Sequence, residues 1–166
     1  MKEEEIRILF TEYNDIKELS ADDRKVAEAS LEAAKKAYAP YSEFKVGAAI
    51  LLSDGTIVRG ANVENAAYPS GSCAEKTALS YTVSNFPELH SVTISIAAMS
   101  GDNLTDEPVP PCGNCRQMLL EEEQRLGREI RIILVGSKRV IVLKSSGALM
   151  PLQFTKKNLK RGNNEQ

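Results

Sequence analysis

The hydrophobic side chains that follow Ser20 recur at the spacing of one helix face. They fall at Val26, Ala27, Leu31, Ala34 and Tyr38. This recurrence predicts an amphipathic α-helix that packs its apolar stripe against the rest of the fold. Ser20, with Asp23 three residues later, resembles a capping box at the helix start. Pro40 ends the helix, because the residue before a proline disfavours the helical conformation.

Two strand-like runs follow, over Phe44–Leu52 and Thr56–Asn62. Ser53-Asp54-Gly55 between them predicts a hairpin turn, since Asp-Gly supplies positive φ angles. The later pattern predicts a helix over 73–84, a buried strand over 91–99, an acidic loop over 101–111, a helix over 112–126, short strands over 131–136 and 140–144, and a short helix ending at Leu159. Paired strands followed by alternating helices and strands predict an α/β layered domain with a mixed sheet.

Residues 1–19 give two conflicting patterns. Ile6, Ile8 and Phe10 alternate as in a strand, whereas Leu9, Tyr13 and Ile16 fit a helix. We therefore expect residues 1–19 to be an N-terminal extension, either a short added strand or a surface arm. Residues 20–160 form the predicted catalytic domain, and the polar residues 161–166 form a predicted disordered tail.

Composition narrows the class of protein. The net charge of −2 offers no basic face for nucleic acid. The acidic start and the lack of a membrane-length apolar run argue against a signal peptide and a membrane protein. Three cysteines, an odd number, argue against a disulfide framework and favour a reduced, cytoplasmic protein.

The three cysteines, Cys73, Cys112 and Cys115, form a pattern typical of a catalytic zinc site. A structural zinc site closes with four protein ligands, but His90 is the only histidine and has no ligand-like neighbour. Three thiolates leave the fourth position for water, and Glu75 lies two residues after Cys73. A carboxylate there can move that water's proton without binding the metal.

Two other interpretations of these residues remain. Cys112-x-x-Cys115 alone is also the spacing of a redox pair, although Cys73-Ala74-Glu75 upstream disfavours this. A non-catalytic zinc-binding module is the second alternative. It predicts a closed fourth ligand, for which the sequence offers only His90.

The wider sequence resembles the small, homotetrameric nucleoside cytidine deaminases, from about Ala37 to Leu159. The resemblance rests on Ala39-Pro40-Tyr41-Ser42-Glu43-Phe44-Lys45-Val46-Gly47-Ala48-Ala49, Asn62-Val63-Glu64-Asn65-Ala66-Ala67-Tyr68-Pro69, Cys73-Ala74-Glu75 and Pro111-Cys112-Gly113-Asn114-Cys115-Arg116-Gln117. It implies a three-layer α/β/α sandwich with a five-stranded mixed sheet. It also implies one zinc ion per chain at two helix N-termini, and a homotetramer with sites at subunit interfaces.

The same resemblance assigns roles to individual residues. Glu75 is catalytic, and Cys73, Cys112 and Cys115 bind the metal. The residues implied to bind substrate are Phe44, Asn62, Glu64, Tyr68, Ala74 and Phe154, with Asn62 and Glu64 on the ribose 3′-hydroxyl and Phe154 inserted into a neighbour's site. Lys76 and Arg116, close in sequence to ligand cysteines, are expected to add positive charge near the sulfurs. Lys76 stands where the family commonly has arginine, which puts a two-pronged contact to the sulfurs in doubt. Tyr41 and Ser42 are expected to be structural.

The implied reaction is hydrolytic deamination of cytidine and 2′-deoxycytidine in pyrimidine salvage. Glu75 would carry a proton from water to ring N3 and then to the leaving amine. A deaminase of a modified or antibiotic cytosine nucleoside is the main alternative. An enzyme that edits nucleic acid is disfavoured by the acidic composition.

Overall fold

The computed structural model describes residues 1–159 as one mixed β-sheet with helices on both faces. The strands are β1 Thr11–Tyr13, β2 Phe44–Leu52, β3 Ile57–Ala61, β4 Ser91–Ser100, β5 Asn103–Leu104, β6 Arg131–Val135 and β7 Val140–Leu143. The helices are α1 Ala21–Ala34, α2 Ala74–Asn85, α3 Gly113–Leu126 and α4 Lys156–Leu159. The predicted tail, residues 161–166, lies outside the described residues.

The sheet runs in the order β1-β7-β6-β4-β2-β3, with β5 paired to β4. Among the strands of residues 1–159, only β4 and β6 pair in parallel. Helix α3 lies in the crossover between them, as parallel strands require. One apolar cluster joins α2 and α3 to one face of the sheet, and two others join α1 to the opposite face. The three-layer α/β/α sandwich with a mixed sheet is therefore confirmed.

The number of strands differs from the expected five, because the described part of the chain forms a sheet of seven. All five expected strands are present as β2, β3, β4, β6 and β7. The added β1 comes from the N-terminal extension and covers the outer edge of β7, whose backbone groups would otherwise lack partners. The added β5 is a two-residue strand inside the loop predicted over 101–111.

The N-terminal extension is a strand and a turn that are packed onto the domain. Its strand is Thr11–Tyr13, not the predicted alternation of Ile6, Ile8 and Phe10, which are exposed. Leu19 is buried, and Tyr13 packs against the same cluster under α1. An added strand is thus observed over Thr11–Tyr13, whereas residues 1–10 are exposed and form neither helix nor strand.

Helix α1 begins as predicted but ends earlier. The Asp23 N–H donates to the Ser20 hydroxyl at 3.2 Å, which confirms Ser20 as the N-cap. The predicted extension to Pro40 is wrong, because the helix ends at Ala34 and Tyr38 is exposed. The Tyr38 backbone instead bonds to Asn62 and Glu64 in an extended bridge.

Two glycines bring the helices close to the sheet. A Cβ on Gly47 would lie 2.1 Å from the Ser30 carbonyl oxygen of α1. A Cβ on Gly60 would lie 2.5 Å from the Ala74 carbonyl oxygen at the start of α2. Because real Cβ atoms do not approach backbone this closely, both positions require glycine. No helix among residues 1–159 is long and apolar enough to cross a membrane.

Candidate active site

The two helices on one face of the sheet begin at cysteines. Cys73 is the N-cap of α2, and Cys112 is the N-cap of α3. Cys115 lies in the first turn of α3 and is buried. The fold therefore brings two helix N-termini and three thiols to one place.

The three sulfur atoms lie within 4.8 Å of one another. The Sγ atoms of Cys73 and Cys112 are 3.9 Å apart. A tetrahedral zinc ion with metal–sulfur bonds of about 2.3 Å places its sulfurs about 3.8 Å apart. Among residues 1–159 no histidine or carboxylate joins the three cysteines as a fourth member of this cluster. The thiols thus fit a zinc ion with one open position.

The surroundings of the thiols suit a zinc–thiolate centre. Burial raises the pKa of the Cys115 thiol and also that of Cys73, so without a cation these groups keep their protons. A bound metal removes them, because only the thiolate is a good ligand. Three thiolates and Zn²⁺ carry a net charge of −1. The N-termini of α2 and α3 offset this charge, each being equivalent to about half a positive charge.

Glu75 is buried beside the cysteines in the first turn of α2. Its side chain has 5% relative exposure, and this burial raises the pKa of its carboxyl group. A carboxyl group whose pKa moves toward neutrality can both accept and return a proton. Glu75 is therefore buried next to the thiols, with a carboxyl group that holds its proton more readily than an exposed glutamate does.

A cavity of about 630 Å³ opens in front of this cluster. Its wall contains most of the residues predicted to bind substrate or metal, namely Phe44, Asn62, Glu64, Tyr68, Cys73, Ala74, Glu75 and Cys112. The volume falls within the range of about 300–1,000 Å³ that is typical of small-molecule sites. The predicted residues, far apart in sequence, thus converge on one pocket.

The Asn62 side chain spans two backbone groups of strand β2. Its Oδ1 accepts the Val46 N–H at 2.7 Å, and its Nδ2 donates to the Phe44 carbonyl at 3.0 Å. Since β3 ends at Ala61, the amide continues the strand pairing one residue further. One N–H and one lone pair of the amide remain for other partners.

The Glu64 carboxylate is held by the turn before β2. One oxygen accepts the N–H groups of Tyr41 at 2.8 Å and Ser42 at 3.3 Å. The other oxygen accepts the Ser42 hydroxyl. The Ser42 hydroxyl and the Tyr41 N–H hold the pKa of Glu64 below its usual range. Glu64, in the wall of the cavity, therefore stays ionised.

Four predicted residues do not line the cavity, namely the buried Cys115, and Lys76, Arg116 and Phe154. Lys76 is exposed and makes no side-chain hydrogen bond or ion pair among the described residues. The Arg116 guanidinium donates to the carbonyls of Pro111, at 2.8 Å, and Leu149, at 2.9 Å. Arg116 thus steadies the backbone before Cys112. Phe154 is 56% exposed, and its carbonyl accepts from Gln117 at 3.1 Å.

Several cavity residues were not predicted. Tyr41, Ser42, Asn65, Ser72, Val109 and Pro110 also line the wall. Tyr41 and Ser42 were expected to be structural, because their sequence marks only a bend between helix and strand. Their position opposite Glu64 depends on a tertiary contact that has no local sequence signal.

Together with the fold, this site places the protein among the zinc-dependent deaminases, for which a glutamate beside a three-ligand zinc is characteristic. Residues 20–126 match the family described as the cytidine and deoxycytidylate deaminase zinc-binding region. The chain belongs to this family and is an enzyme.

Individual relatives agree with the family match. A cytidine deaminase of Sporosarcina psychrophila is 37% identical over 145 residues, which cover 87% of this chain and 95% of that protein. One of Halalkalibacterium halodurans is 46% identical over 92 residues, covering 55% and 65%. The crystal structure of cytidine deaminase from Burkholderia pseudomallei superposes with a TM-score of 0.67 at 36% identity, covering 78% of this chain and 97% of that one.

Proposed function

We propose that Glu75 moves the protons in a hydrolytic deamination of cytidine for which Cys73, Cys112 and Cys115 hold zinc. The protein, as a member of its family, deaminates cytidine and 2′-deoxycytidine to uridine and 2′-deoxyuridine with release of ammonia. The observation that supports the role of Glu75 best is its burial beside three clustered thiols in a nucleoside-sized cavity.

Zinc and the Glu75 carboxylate have separate roles in the reaction at the cytosine base. When bound, zinc supplies a Lewis acid that lowers the pKa of a water molecule. Glu75 takes one proton from a water molecule and delivers it to ring N3, while the water oxygen forms a bond to C4. Glu75 then transfers the second proton of that oxygen to the exocyclic amine. The C4–N bond breaks, ammonia leaves, and C4 keeps a carbonyl oxygen. Because the pKa of Glu75 is raised by burial, its carboxyl group can give the proton back in each cycle.

The sugar binds at the other end of the cavity, near Asn62 and Glu64. Three donors occupy three of the four lone-pair positions of the Glu64 carboxylate. One acceptor position on Glu64 and one N–H on Asn62 remain. A hydroxyl can donate to the first and accept from the second, so the pair suits one sugar hydroxyl, the ribose 3′-hydroxyl.

The remaining wall residues position the nucleoside between these ends. Phe44 and Tyr68 supply apolar surface along the cavity. Ala74 is fully buried as the first residue of α2, so its N–H has no acceptor within the helix. That N–H is available to a carbonyl oxygen of the base.

The site is completed by a second subunit in a homotetramer. Tyr41, Tyr68 and Phe154 are large aromatic side chains that are more than half exposed. Exposed aromatic side chains of this kind are enriched at protein interfaces. Phe154 lies outside the cavity of its own chain. Phe154 of the partner subunit therefore enters the site and stacks on the pyrimidine.

The enzyme works in the cytoplasm, in pyrimidine salvage. The three cysteines are free thiols, and a reducing compartment keeps thiols available for a metal. Their exposure ranges from buried Cys115 to exposed Cys112, so oxidation would reach the site in an oxidising compartment.

A substrate panel tests the proposed function. Purified protein is mixed with cytidine, 2′-deoxycytidine and base-modified cytosine nucleosides, and the loss of the cytosine ultraviolet band and the release of ammonia are followed. We expect both natural nucleosides to react. Reaction of a modified nucleoside alone would reject the assigned substrate and favour the alternative deaminase.

A further inference from the structure

The turn before strand β2 is built around the Ser42 hydroxyl. A serine hydroxyl has one proton to donate. Here the Ser42 hydroxyl oxygen accepts the Phe44 N–H at 3.0 Å, and its proton goes to Glu64. Ser42 therefore connects the first residue of β2 to the carboxylate assigned to the sugar.

The backbone holds this turn in one conformation. Glu43, between Ser42 and Phe44, has a φ of 54°, which non-glycine residues rarely adopt. The Glu43 N–H donates to Ala39 at 3.1 Å, and its carbonyl accepts from Gly101 at 3.0 Å. Because both backbone groups of Glu43 are bonded, the turn cannot move its hydroxyl away from Glu64 without breaking bonds.

The donors from the turn set the orientation of the carboxylate. The two N–H groups of Tyr41 and Ser42 hold one oxygen of Glu64. The Ser42 hydroxyl holds the other oxygen, which is the oxygen with a lone pair left for substrate. Without this hydroxyl, the second oxygen has no protein donor among the described residues.

We infer that Ser42 is a positioning residue for recognition of the sugar hydroxyl, acting through the Glu64 carboxylate. The inference rests on the proposed function, in which Glu64 accepts one ribose hydroxyl. Ser42 does not contact the reacting atoms. It directs the free lone pair of Glu64 toward the 3′-hydroxyl, so its contribution depends on whether the substrate carries that hydroxyl.

The test compares cytidine with 3′-deoxycytidine as substrates of the zinc-loaded enzyme. Ser42→Ala should lower kcat/KM for cytidine by about tenfold or more, since a hydrogen bond to a charged group is lost. It should change kcat/KM for 3′-deoxycytidine by less than about twofold, because that substrate has no hydroxyl for Glu64 to accept. A purely structural role for Ser42 would lower both values equally.

Three further variants extend the comparison. Ser42→Thr keeps the hydroxyl and should retain most of the activity on cytidine. Ser84→Ala, on the exposed surface of α2 outside the cavity, is the matched control and should leave both substrates unaffected. In a Glu64→Ala background, Ser42→Ala should have no additional effect, because the group it acts through is gone.

The possible results distinguish a failure of the proposed role of Ser42 from a failure of the proposed function. Equal losses on both substrates, or no loss on cytidine, would overturn the role of Ser42 while the deaminase activity stands. Equal kcat/KM of the unmutated enzyme for cytidine and 3′-deoxycytidine would overturn the assignment of Glu64, and the inference with it. Absence of any deamination by the unmutated enzyme would overturn the proposed function itself.

Discussion

Two glutamates in one cavity have pKa values shifted in opposite directions. Burial raises the pKa of Glu75, whereas the Ser42 hydroxyl and the Tyr41 N–H lower that of Glu64. A raised pKa favours a carboxyl group that holds a proton, and a lowered pKa keeps the other carboxyl group charged as an acceptor. The same side chain thus suits proton transfer in one environment and the acceptance of hydrogen bonds in the other.

The Asn62 side chain gives the first prediction at the residue scale. Asn62→Ala leaves the part-buried Val46 N–H and the Phe44 carbonyl without their partner. We expect a loss of about 1–3 kcal/mol in the free energy of unfolding, together with a raised KM for cytidine. Urea denaturation and steady-state kinetics measure the two effects.

A matched control for this prediction is Asn85→Ala. Asn85 is exposed, and its amide donates only to Tyr81, one helix turn earlier. Its replacement should change the free energy of unfolding by less than about 0.5 kcal/mol. An equal loss of unfolding free energy in both variants would mean that the Asn62 amide stabilises the fold no more than an exposed amide does.

At the scale of single residues, the sequence predicts which side chains form the site but not all of their contacts. Cys73, Cys112, Cys115 and Glu75 follow from ligand counting and spacing, and the structure brings them together. The hydrogen bonds of Glu64 to Tyr41 and Ser42 could not be predicted, because they join segments that approach only after β2 and β3 pair. The donation of Arg116 to Leu149 is likewise a contact between distant parts of the chain.

At the scale of elements, the hydrophobic periodicity predicts whether a segment is a helix or a strand better than it predicts where that segment ends. The helices and strands of the domain appear where expected, because their apolar patterns match the layers they pack in. Helix α1 stops at Ala34 because Tyr38 pairs with the segment after β3. Strand β1 could not be located, since its pairing with β7 depends on the open edge of a sheet formed far along the chain.

The close approach of α2 to the sheet gives a prediction at this scale. Gly60→Ala places a Cβ 2.5 Å from backbone atoms of Ala74 and Ala78. Helix α2, which carries Cys73 and Glu75, must then shift. We expect a loss of about 1–3 kcal/mol in the free energy of unfolding, and a fall in kcat. Chemical denaturation and deamination kinetics measure these changes.

Gly113→Ala is the control for that prediction. A Cβ at Gly113, the first residue of α3, has no atom within 4 Å. Alanine also restricts the unfolded chain, so stability should stay constant or rise by about 0.4–1 kcal/mol. A loss as large as that of Gly60→Ala would contradict the packing argument.

The N-terminal extension gives a second prediction for an element. Leu19 is 7% exposed and packs in the core cluster under α1, whereas Leu9 is 83% exposed. Leu19→Ala should lower the free energy of unfolding by about 2–5 kcal/mol, and Leu9→Ala by less than about 0.5 kcal/mol. Equal effects in denaturation experiments would show that the extension is not part of the folded core.

For the whole molecule, the central question is whether one chain forms a complete site. The cavity is open, and Phe154 lies outside it on the exposed surface. In the proposed homotetramer, an aromatic side chain of one subunit completes the open site of another. No sequence pattern marks that interface, because the exposed aromatics are scattered along the chain.

Mixed assemblies test the sharing of residues. Phe154→Ala chains keep Glu75, and Glu75→Gln chains keep Phe154. If subunits are dissociated and reassembled together, some sites combine an intact Glu75 with Phe154 of the partner subunit. We expect the mixture to deaminate cytidine faster than the sum of the two parental assemblies. Simple addition of their rates would show that Phe154 does not act across an interface.

The measurement that tests the central claim most directly is cytidine deamination by Glu75→Gln protein, with its zinc content determined in the same sample. The amide keeps the size of the side chain but cannot carry the proton. We expect zinc to stay bound by Cys73, Cys112 and Cys115, and kcat to fall by about 10²–10⁴-fold. Near-normal activity with zinc bound would contradict the role of Glu75, and loss of zinc would place Glu75 among the metal ligands.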